Sequence, residues 1–557
     1  MQKLLECVPN FSEGRDSNII NQIAKSISDC EGVSLLDVDP GKATNRTVMT
    51  FVGEPEKVVE AAFQAMKKAK ELIDMRKHKG EHPRFGATDV CPLVPVSGIT
   101  MEEAADWARK LASRVGKELE YPVFLYESAA SAPHRKNLAN VRSGEYEGLE
   151  AKFKSPEWQP DFGPAVFVPE TGTTAIGARD FLVAVNFNLN TTSVRRANAI
   201  SFDVREAGRV VKEKDAESGE EKEIRVPGTL KAAKAIGWFI EEYGVAQVSM
   251  NLTDIGITSL HQAFDAVQES ALSRGIRVSG TEIVGMVPLR VLLDAGRHYL
   301  KKQQRSTGVP DAELIKIAIK SMGLDDLVPF DPAHKVIEYK LSSGRLEGRL
   351  VSMSLSRFSE EVLSESPAPG GGSVAAYMAA CGTALSGMVA NLSSHKRGWD
   401  ERWAYFSDIA EKAEGIRKSL IAAVDADTEA FNRVMEAFSL PKSSDEEKVI
   451  RSAAIQIAQK GAVEVPLQVM RTSLSAMPLT LTMATEGNPN SVSDAGVGAA
   501  ALHAGIYGAY LNVLINLKDL KDRSLAAAFA SEAEKLMSES ADWEKKIKDI
   551  VLRQISS

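Results

Sequence analysis

The segment HKGEHPRFGATD, residues 78–89, carries the densest group of side chains that could do chemistry. It contains two histidines, two basic residues and two acidic residues, and its glycines and proline disfavour both helix and strand. A rigid loop between packed elements is a common place for an active site. A histidine there can take up and release a proton, because its unperturbed pKa is about 6.5. The segment is a candidate acid–base site, although a solvated surface loop has a similar composition.

His78 and His82 also fit the H-x-x-E-H spacing of one class of zinc peptidases. That motif holds zinc from a helix, where positions i and i+4 share a face. Here Gly80 lies at the centre of the motif and Pro83 directly follows it, so no helix is expected. We therefore favour an acid–base loop and expect no metal. Stoichiometric zinc in the purified protein would revive the peptidase alternative.

A second candidate group lies in VDADTEAF, residues 424–431. Asp425 and Asp427 are two positions apart, so on a helix their side chains point about 200° apart. A carboxylate in an apolar seam is unfavourable unless it is paired or used, and burial raises its pKa toward the range of a general acid or base. Asp427 is therefore a candidate for proton transfer, with a hydrogen bond to a neighbouring helix as the structural alternative. The helical stripe that includes Asp427 is Ile416, Leu420, Val424, Asp427, Phe431, Val434 and Phe438.

A glycine-rich start, GGGS at 370–373, precedes an alanine-rich helix pattern. Exposed N–H groups at a helix start can bind a carboxylate or a polarised carbonyl group. Gly371 and Ser373 are therefore candidate ligand-binding residues. A hinge, or a site of close helix packing, would show the same small residues.

The elements that must position these groups divide into three predicted domains, as 557 residues suggest. Residues 1–180 and 181–330 each alternate strand and helix patterns, which predicts two α+β units with helices on a small sheet. The polar segment at 211–228 is expected to be a solvated loop between two helical stretches. Residues 331–355 are a predicted linker, and residues 356–557 lack strand patterns and predict an all-α bundle.

Composition limits the classes of partner. The hydrophobic fraction is 44% and the charged fraction 25%, which is typical of a soluble globular protein. A net charge of −8 argues against nucleic acid or an anionic membrane as a main partner. No apolar run of membrane length and no signal peptide is recognised, so a cytoplasmic location is expected. The four cysteines are scattered, which predicts neither a disulfide framework nor a thiolate zinc site.

Seven long motifs carry a resemblance to known families. ECVPNFSEGRD, LLDVDPGKATNRTVMTFVG, HKGEHPRFGATDVCP and PDFGPAVFVPETG resemble glutamate formiminotransferase, over nearly all of residues 1–330. APGGGSVAAYMAA, VDADTEAF and YLNVLINL are similar to formiminotetrahydrofolate cyclodeaminase. The whole chain thus resembles the fused family, in which the second site consumes the product of the first. The resemblance implies two ferredoxin-like subdomains followed by a helical bundle.

The resemblance also implies roles for particular residues. His82 matches the catalytic histidine of the first family, and Asp427 matches the catalytic second aspartate of the other. Arg46, Lys79 and Arg84 are expected to bind substrate carboxylates by charge-assisted hydrogen bonds. Asp39 is expected to accept hydrogen bonds from the pterin ring. The expected folate-binding stretch is Gly163, Pro164, Ala165, Val166, Phe167, Val168, Pro169, Glu170, Thr171 and Gly172.

The implied chemistry is a two-step folate reaction. The formimino group of N-formimino-L-glutamate moves to N5 of tetrahydrofolate, and 5-formimino-tetrahydrofolate then cyclises to 5,10-methenyl-tetrahydrofolate with loss of ammonia. Tetrahydrofolate is the implied co-substrate, in polyglutamylated form, and no metal is expected. The resemblance further implies a homo-oligomer built as a ring of dimers.

Two alternatives stay open. In the first, the chain is a monofunctional formiminotransferase whose helical domain is cyclohydrolase-like or non-catalytic. In the second, it is a folate-binding scaffold or assembly module without activity. Ammonia release from 5-formimino-tetrahydrofolate would argue against the first alternative. A normal formimino-transfer rate in the His82→Ala variant would favour the second.

Overall fold

The computed structural model describes residues 3–214, 221–343 and 350–556. The chain divides into two compact units. One comprises Met1–Leu292 with Ile319–Ser342, and the other comprises Leu293–Ala318 with Ser343–Ser557. The first unit contains the β-sheets and the second is helical, so the predicted α/β region followed by a helical region is confirmed.

The first sheet has seven strands with helices packed on one face. Strands β1 and β2 lie end to end between β4 and β5, and β3 pairs with the other edge of β4. β1 and β2 are separated at Pro9, which has no N–H to give to a ladder. β7 pairs in parallel with both β5 and β6. The strands are β1 Leu4–Cys7, β2 Asn10–Phe11, β3 Val33–Gly41, β4 Arg46–Gly53, β5 Thr88–Ser97, β6 Val123–Glu127 and β7 Thr174–Ala178.

Helix starts and stripes follow their sequence signals. Asp16 caps the first helix by accepting from the N–H groups of Asn18 and Ile19, and Thr100 and Glu103 form a capping box at the third. In the second helix, Val58, Val59, Ala62, Phe63 and Met66 recur at helical spacing and are buried. The helices of this part are α1 Ser17–Ser28, α2 Pro55–Leu72, α3 Met101–Glu118, α4 Leu138–Val141 and α5 Leu149–Lys152.

The second sheet is fully antiparallel and has the strand order β11-β12-β8-β13. Val185, Phe187 and Leu189 alternate along β8 with Asn186 and Asn188, so one face is apolar and the other polar. The strands are β8 Val183–Leu189, β9 Arg209–Lys214, β10 Glu221–Val226, β11 Ala233–Ile240, β12 Val245–Leu252 and β13 Val278–Val284. The helices that follow or accompany them are α6 Val194–Val204, α7 Leu260–Leu272, α8 Leu289–Lys302, α9 Asp311–Met322, α10 Pro332–Lys335 and α11 Ile337–Ser343.

The polar segment at 211–228 is not the predicted loop between helices. β9 and β10 pair as an antiparallel hairpin, in which Val211 lies opposite Ile224, and residues 215–220 lie outside the described residues. The stretch after it forms β11 rather than a helix. AKAIGWFI is rich in β-branched and aromatic residues, and pairing along all of β12 outweighs a short helical pattern.

The predicted linker at 331–355 is partly helical. Its first half contains α10 and α11, and Asp331 caps α10 by accepting from the N–H of Ala333. The segment 344–349 lies outside the described residues.

The second unit is built around a helix made of small residues. Gly382 approaches Gly498 so closely that an added Cβ would lie 2.6 Å from the Gly498 carbonyl oxygen, and one on Gly505 would lie 2.7 Å from that of Ala375. The small residues therefore serve close helix packing, as expected. The helices are α12 Leu355–Leu363, α13 Gly371–Ser394, α14 Trp403–Ser439, α15 Asp445–Glu486, α16 Val492–Leu517 and α17 Arg523–Ser556.

Among the described residues, two stretches have the length and apolar composition of a membrane-crossing helix, contrary to the prediction that no apolar run is long enough. They are Gly371–Ser394 and Pro489–Leu517. The apolar window of the first is 61% buried inside the protein, as expected of a core helix in a bundle. Length and composition are weak evidence for a membrane in such a case.

Candidate active sites

The loop that carries His82 runs between α2 and β5 and is held against the turn that joins β3 to β4. The Asn45 side chain donates to the Lys79 carbonyl oxygen at 3.0 Å, and His78 Nε2 lies 2.7 Å from the Asn45 carbonyl oxygen. Gly80 permits this approach, because an added Cβ would lie 2.2 Å from the Thr44 carbonyl oxygen. The loop is not helical, and no cluster of metal-ligating side chains occurs among the described residues.

His82 is half-buried and contacts protein groups through both ring nitrogens. Its Nδ1 lies 2.6 Å from the Pro83 carbonyl oxygen. The Arg46 Nη1 lies 2.6 Å from Nε2 and 2.9 Å from Nδ1. Burial and, next, the positive charge of Arg46 lower the pKa of His82 to about 4. At neutral pH the imidazole is therefore uncharged.

Two arginines share one buried carboxylate beside this histidine. Asp89 is 1% exposed, and its Oδ2 accepts from Arg46 Nη2 at 2.8 Å and from Arg142 Nη1. Burial raises the pKa of Asp89, but the two guanidinium groups more than offset this and hold it below its ordinary value. Arg142 also donates to the Pro83 carbonyl oxygen at 2.8 Å and pairs with Glu145 at 2.9 Å.

The structure brings Arg46 to His82, as is expected if both belong to one site. The Arg84 guanidinium instead contacts other protein groups. The Arg84 guanidinium donates to the carbonyl oxygens of Met75, at 2.6 Å, and His78, and pairs with Glu147 at 2.9 Å. It also lies over the Tyr146 ring at 4.3 Å from the centroid. Its role in substrate binding stays a prediction, as does that of Lys79, whose side chain is exposed.

Asp39 lies on β3, in the first sheet, and its carboxylate accepts from the Gly285 N–H at 3.3 Å. Gly285 directly follows β13 of the second sheet, so this hydrogen bond joins the two sheets within the first unit. On β13 itself Glu282 accepts from Asn186 at 2.9 Å and from Tyr243 at 3.3 Å. Asp39 thus lies near a polar surface of the second sheet, where hydrogen-bonding ligands could be held.

The predicted folate-binding stretch, 163–172, packs against the far end of the His82 loop. The Ala87 N–H donates to the Thr171 carbonyl oxygen at 2.8 Å, and Phe167 contacts the Tyr146 ring edge-on at 5.4 Å. Gly163 has a φ of +85° and lies so close to Tyr121 that an added Cβ would be 2.2 Å from its carbonyl oxygen. The stretch is partly exposed along its middle residues.

The second candidate site forms where α14 passes the start of α13. Ser373 Oγ donates to the Val424 carbonyl oxygen at 2.8 Å and lies 3.2 Å from Asp427 Oδ2. Burial raises the pKa of Asp427, although its hydrogen bonds with Ser373 oppose the shift. The structure therefore brings Ser373 to Asp427, whereas an added Cβ on Gly371 would lie 3.4 Å from the Asn512 side chain and within 4 Å of no atom of Asp427. Asp425 points elsewhere and accepts from the Leu350 N–H at 2.8 Å.

The predicted stripe of α14 is buried only in part. Leu420 and Val424 are buried, but Phe438 is 45% exposed, because the last turns of α14 have little cover within this chain. The separation of Asp427 from Asp425 by helical geometry is nevertheless as expected.

Sequence reasoning missed Arg142. It is 53 residues from Asp89 along the chain, and it follows a short helix with no motif of its own. The one available signal was Asp89, a charged residue at the start of an otherwise apolar strand pattern, which requires a partner when buried.

Comparisons with known proteins agree with the resemblance in the motifs. Family models match in three places: the N-terminal subdomain of the formiminotransferase domain at 4–179, the formiminotransferase domain at 184–342, and formiminotransferase-cyclodeaminase at 354–535.

Similar proteins cover nearly the whole chain, about half of it or about a third of it. Formimidoyltransferase-cyclodeaminase of Mus musculus is 44% identical over 522 residues, which is 94% of each chain. Glutamate formimidoyltransferase of Streptococcus pyogenes is 40% identical over 301 residues, 54% of this chain and 94% of that protein. Methenyltetrahydrofolate cyclohydrolase of Methylorubrum extorquens is 39% identical over 203 residues, 36% of this chain and 98% of that protein. The chain belongs to the formiminotransferase-cyclodeaminase family.

Proposed function

We propose that the protein is a bifunctional folate enzyme of histidine degradation. It transfers the formimino group of N-formimino-L-glutamate to N5 of tetrahydrofolate, and it then forms 5,10-methenyl-tetrahydrofolate and ammonia. The observation that carries this proposal is the 44% identity with formimidoyltransferase-cyclodeaminase along nearly the whole of both chains. Each half of the chain also holds a candidate proton-transfer group in the expected motif.

In the first reaction, N5 of tetrahydrofolate attacks the formimino carbon and a carbon–nitrogen bond forms. The bond from that carbon to the glutamate nitrogen then breaks. N5 loses one proton, and the glutamate nitrogen gains one in order to leave as a neutral amine. His82 Nε2 carries this proton from one nitrogen to the other. Its low pKa keeps the imidazole neutral, which is the form that can accept a proton.

Arg46 links substrate binding to this proton transfer. In the structure its guanidinium lies on the His82 ring and contacts Nε2. A carboxylate of the incoming substrate attracts the guanidinium, and the contact with Nε2 is lost. Because Arg46 lowers the pKa of His82, its departure raises that pKa toward the ordinary value and makes the imidazole a better base.

In the second reaction, N10 attacks the carbon of the protonated formimino group on N5, N5–CH=NH2⁺. The bond from that carbon to its terminal nitrogen breaks, and the positive charge stays on the methenyl group. Asp427 receives the proton from N10 and gives it to the departing ammonia. Burial raises the pKa of Asp427, which makes its carboxylate a better proton acceptor than a solvated one. In this proposal the start of α13, with Gly371 and Ser373, binds the folate beside Asp427.

The glycine beside Asp427 provides a direct test of this site. An added Cβ on Gly372 would lie 2.1 Å from Asp427 Oδ1, so Gly372→Ala must displace the carboxylate. We expect ammonia release from 5-formimino-tetrahydrofolate to fall by about 10²-fold or more, the low end for a displaced general acid–base. Formimino transfer should be unchanged. Gly370→Ala is the matched control, because its added Cβ meets only the Pro367 carbonyl oxygen at 3.8 Å. Equal deaminase rates in both variants would contradict this placement of Asp427.

Further features are part of the proposal. The domains are 1–180, 181–330, a linker at 331–355 and 356–557, which the limits of the matching family models support. Each α+β part has a ferredoxin-like topology, supported by the order β8-α6-β11-β12-α7-β13 with antiparallel pairing. The folate is polyglutamylated, the enzyme needs no metal, and it acts in the cytoplasm.

We also propose a homo-oligomer, a ring of dimers. Its support is an exposed apolar face on α16, where Tyr507, Leu511 and Ile515 recur every four residues. A helix face of this kind is typical of a contact between subunits rather than of a surface in water.

A second candidate function is favoured by one comparison. The cyclohydrolase of Methylorubrum extorquens is 39% identical to about a third of this chain. A monofunctional formiminotransferase with a cyclohydrolase-like helical domain therefore remains the alternative.

One assay separates the two functions. The protein is incubated with formiminoglutamate and tetrahydrofolate, while methenyl-tetrahydrofolate absorbance and ammonia are followed together. We expect both to rise together without a lag. Accumulation of 5-formimino-tetrahydrofolate without ammonia would leave only the transferase, and no transfer at all would end both proposals.

A further inference from the structure

We propose that Arg142 and Asp89 are positioning residues of the transfer site, which together hold His82 as the tautomer with its proton on Nδ1 and its lone pair on Nε2. The inference rests on the proposed role of His82 in formimino transfer. It adds two residues that do not touch the reacting atoms but decide which ring nitrogen serves as the base.

The contacts form a closed ring of five groups. Asp89 Oδ2 accepts from Arg46 Nη2 at 2.8 Å and from Arg142. Arg142 Nη2 donates to the Pro83 carbonyl oxygen at 2.8 Å, and that oxygen lies 2.6 Å from His82 Nδ1. Arg46 Nη1 closes the ring at 2.6 Å from His82 Nε2.

The direction of each hydrogen bond follows from the chemistry of its partners. A carbonyl oxygen only accepts, so His82 Nδ1 must carry the proton that it gives to Pro83. A guanidinium only donates, so Nε2 must accept from Arg46. Arg142 fixes the Pro83 carbonyl in place, and Asp89 fixes both arginines. The tautomer of His82 is therefore set by the Pro83 carbonyl and Arg46, which Arg142 and Asp89 hold in place.

The three charged members of the ring are shielded from water, whereas His82 is half-buried and Pro83 is exposed. The side chain of Asp89 is 1% exposed, that of Arg142 10% and that of Arg46 15%. The charged and titratable groups around His82 are Arg46 on β4, Asp89 on β5, Arg142 and Glu145 after α4, and His78 and Arg84 in the loop. Arg46 and Arg142 disfavour a protonated His82, while Asp89 favours it.

These opposite influences give the inference a test. The transfer kcat/KM is measured from pH 3 to 9 in the full-length protein for Arg142→Met, Arg142→Lys and Asp89→Asn. In Arg142→Met, a positive charge is lost, so the acid limb moves to higher pH. In Asp89→Asn, a negative charge is lost, so the limb moves to lower pH. In both variants kcat falls by roughly 10–100-fold, the loss known for groups that orient a metal-bound histidine.

Arg142→Lys keeps the charge but not the planar fork that bridges Asp89 and Pro83. In this variant the acid limb stays at the wild-type pH while kcat falls. The variant also keeps the test valid if Arg142→Met and Asp89→Asn do not fold. Arg135→Met is the matched control. Arg135 and Asp161 form another buried pair in the same part of the chain, at 2.7 Å, and their loss leaves the acid limb in place.

The outcomes distinguish a failure of the positioning role from a failure of the proposed role of His82 in formimino transfer. If His82→Ala transfers normally, the role of His82 itself fails. If His82→Ala is inactive, but Arg142→Met and Asp89→Asn keep the wild-type kcat and acid limb, only the positioning role is overturned. The positioning role would also be overturned if the acid limb moved in the same direction in both variants. A general loosening of the site does not depend on the sign of the lost charge, so it would shift both limbs alike.

Discussion

His82→Ala is expected to lower kcat for formimino transfer by about 10²–10⁴-fold, the usual contribution of a positioned general acid–base. The reason is that no other imidazole occupies its place between Arg46 and Pro83. KM for formiminoglutamate should change little, because Arg46 remains to bind carboxylates. Ammonia release from 5-formimino-tetrahydrofolate should stay at the wild-type rate, since it depends on Asp427 in the other unit. The measurement is the rate of each reaction, run separately on one preparation.

The other histidine of the same loop serves as the control. His78 Nε2 holds the Asn45 carbonyl oxygen at 2.7 Å, and the residue is buried. His78→Gln should therefore lower the melting temperature of the protein clearly, with only a small decrease in kcat for formimino transfer. If it abolishes transfer while His82→Ala does not, the assignments of the two histidines are reversed.

The second large effect is expected in Asp427→Asn. The amide can still accept from Ser373 but cannot carry a proton, so the fold should persist while the chemistry stops. We expect ammonia release to fall by about 10²–10⁴-fold. Formimino transfer should continue, so that 5-formimino-tetrahydrofolate accumulates and methenyl-tetrahydrofolate does not form. Product analysis after a fixed time measures both compounds.

Asp425→Asn is the matched control two residues away. Asp425 accepts from the Leu350 N–H, and an asparagine carbonyl oxygen can accept in the same way. Its ammonia release should stay within about twofold of the wild type, in line with the small effects of conservative changes outside a site. A larger loss in Asp425→Asn than in Asp427→Asn would mean that the helical stripe identifies the wrong aspartate.

The relation between sequence and structure differs between local and distant features. Hydrophobic periodicity predicts the alternation of strands and helices in residues 1–330 and the all-α character of residues 356–557, because each pattern reflects burial of one face of one element. It fails at β11 and at the hairpin of β9 and β10. There the helix and strand patterns are similar in strength, and pairing with a neighbouring strand decides the outcome.

The sequence by itself determined which groups of this protein are available for chemistry. They are a histidine in a loop that cannot form a helix, and an aspartate on the apolar side of a segment that can. Both follow from local rules of spacing and backbone geometry. Only the tertiary structure decided the state of these groups. It places Arg142, 59 residues from Pro83 in sequence, on the Pro83 carbonyl, and it brings Arg46 onto the imidazole, so that the pKa of His82 is about 4 rather than near 6.5. The physical reason is that pKa and tautomer depend on burial and on charges within a few ångströms, which the order of residues along the chain does not specify.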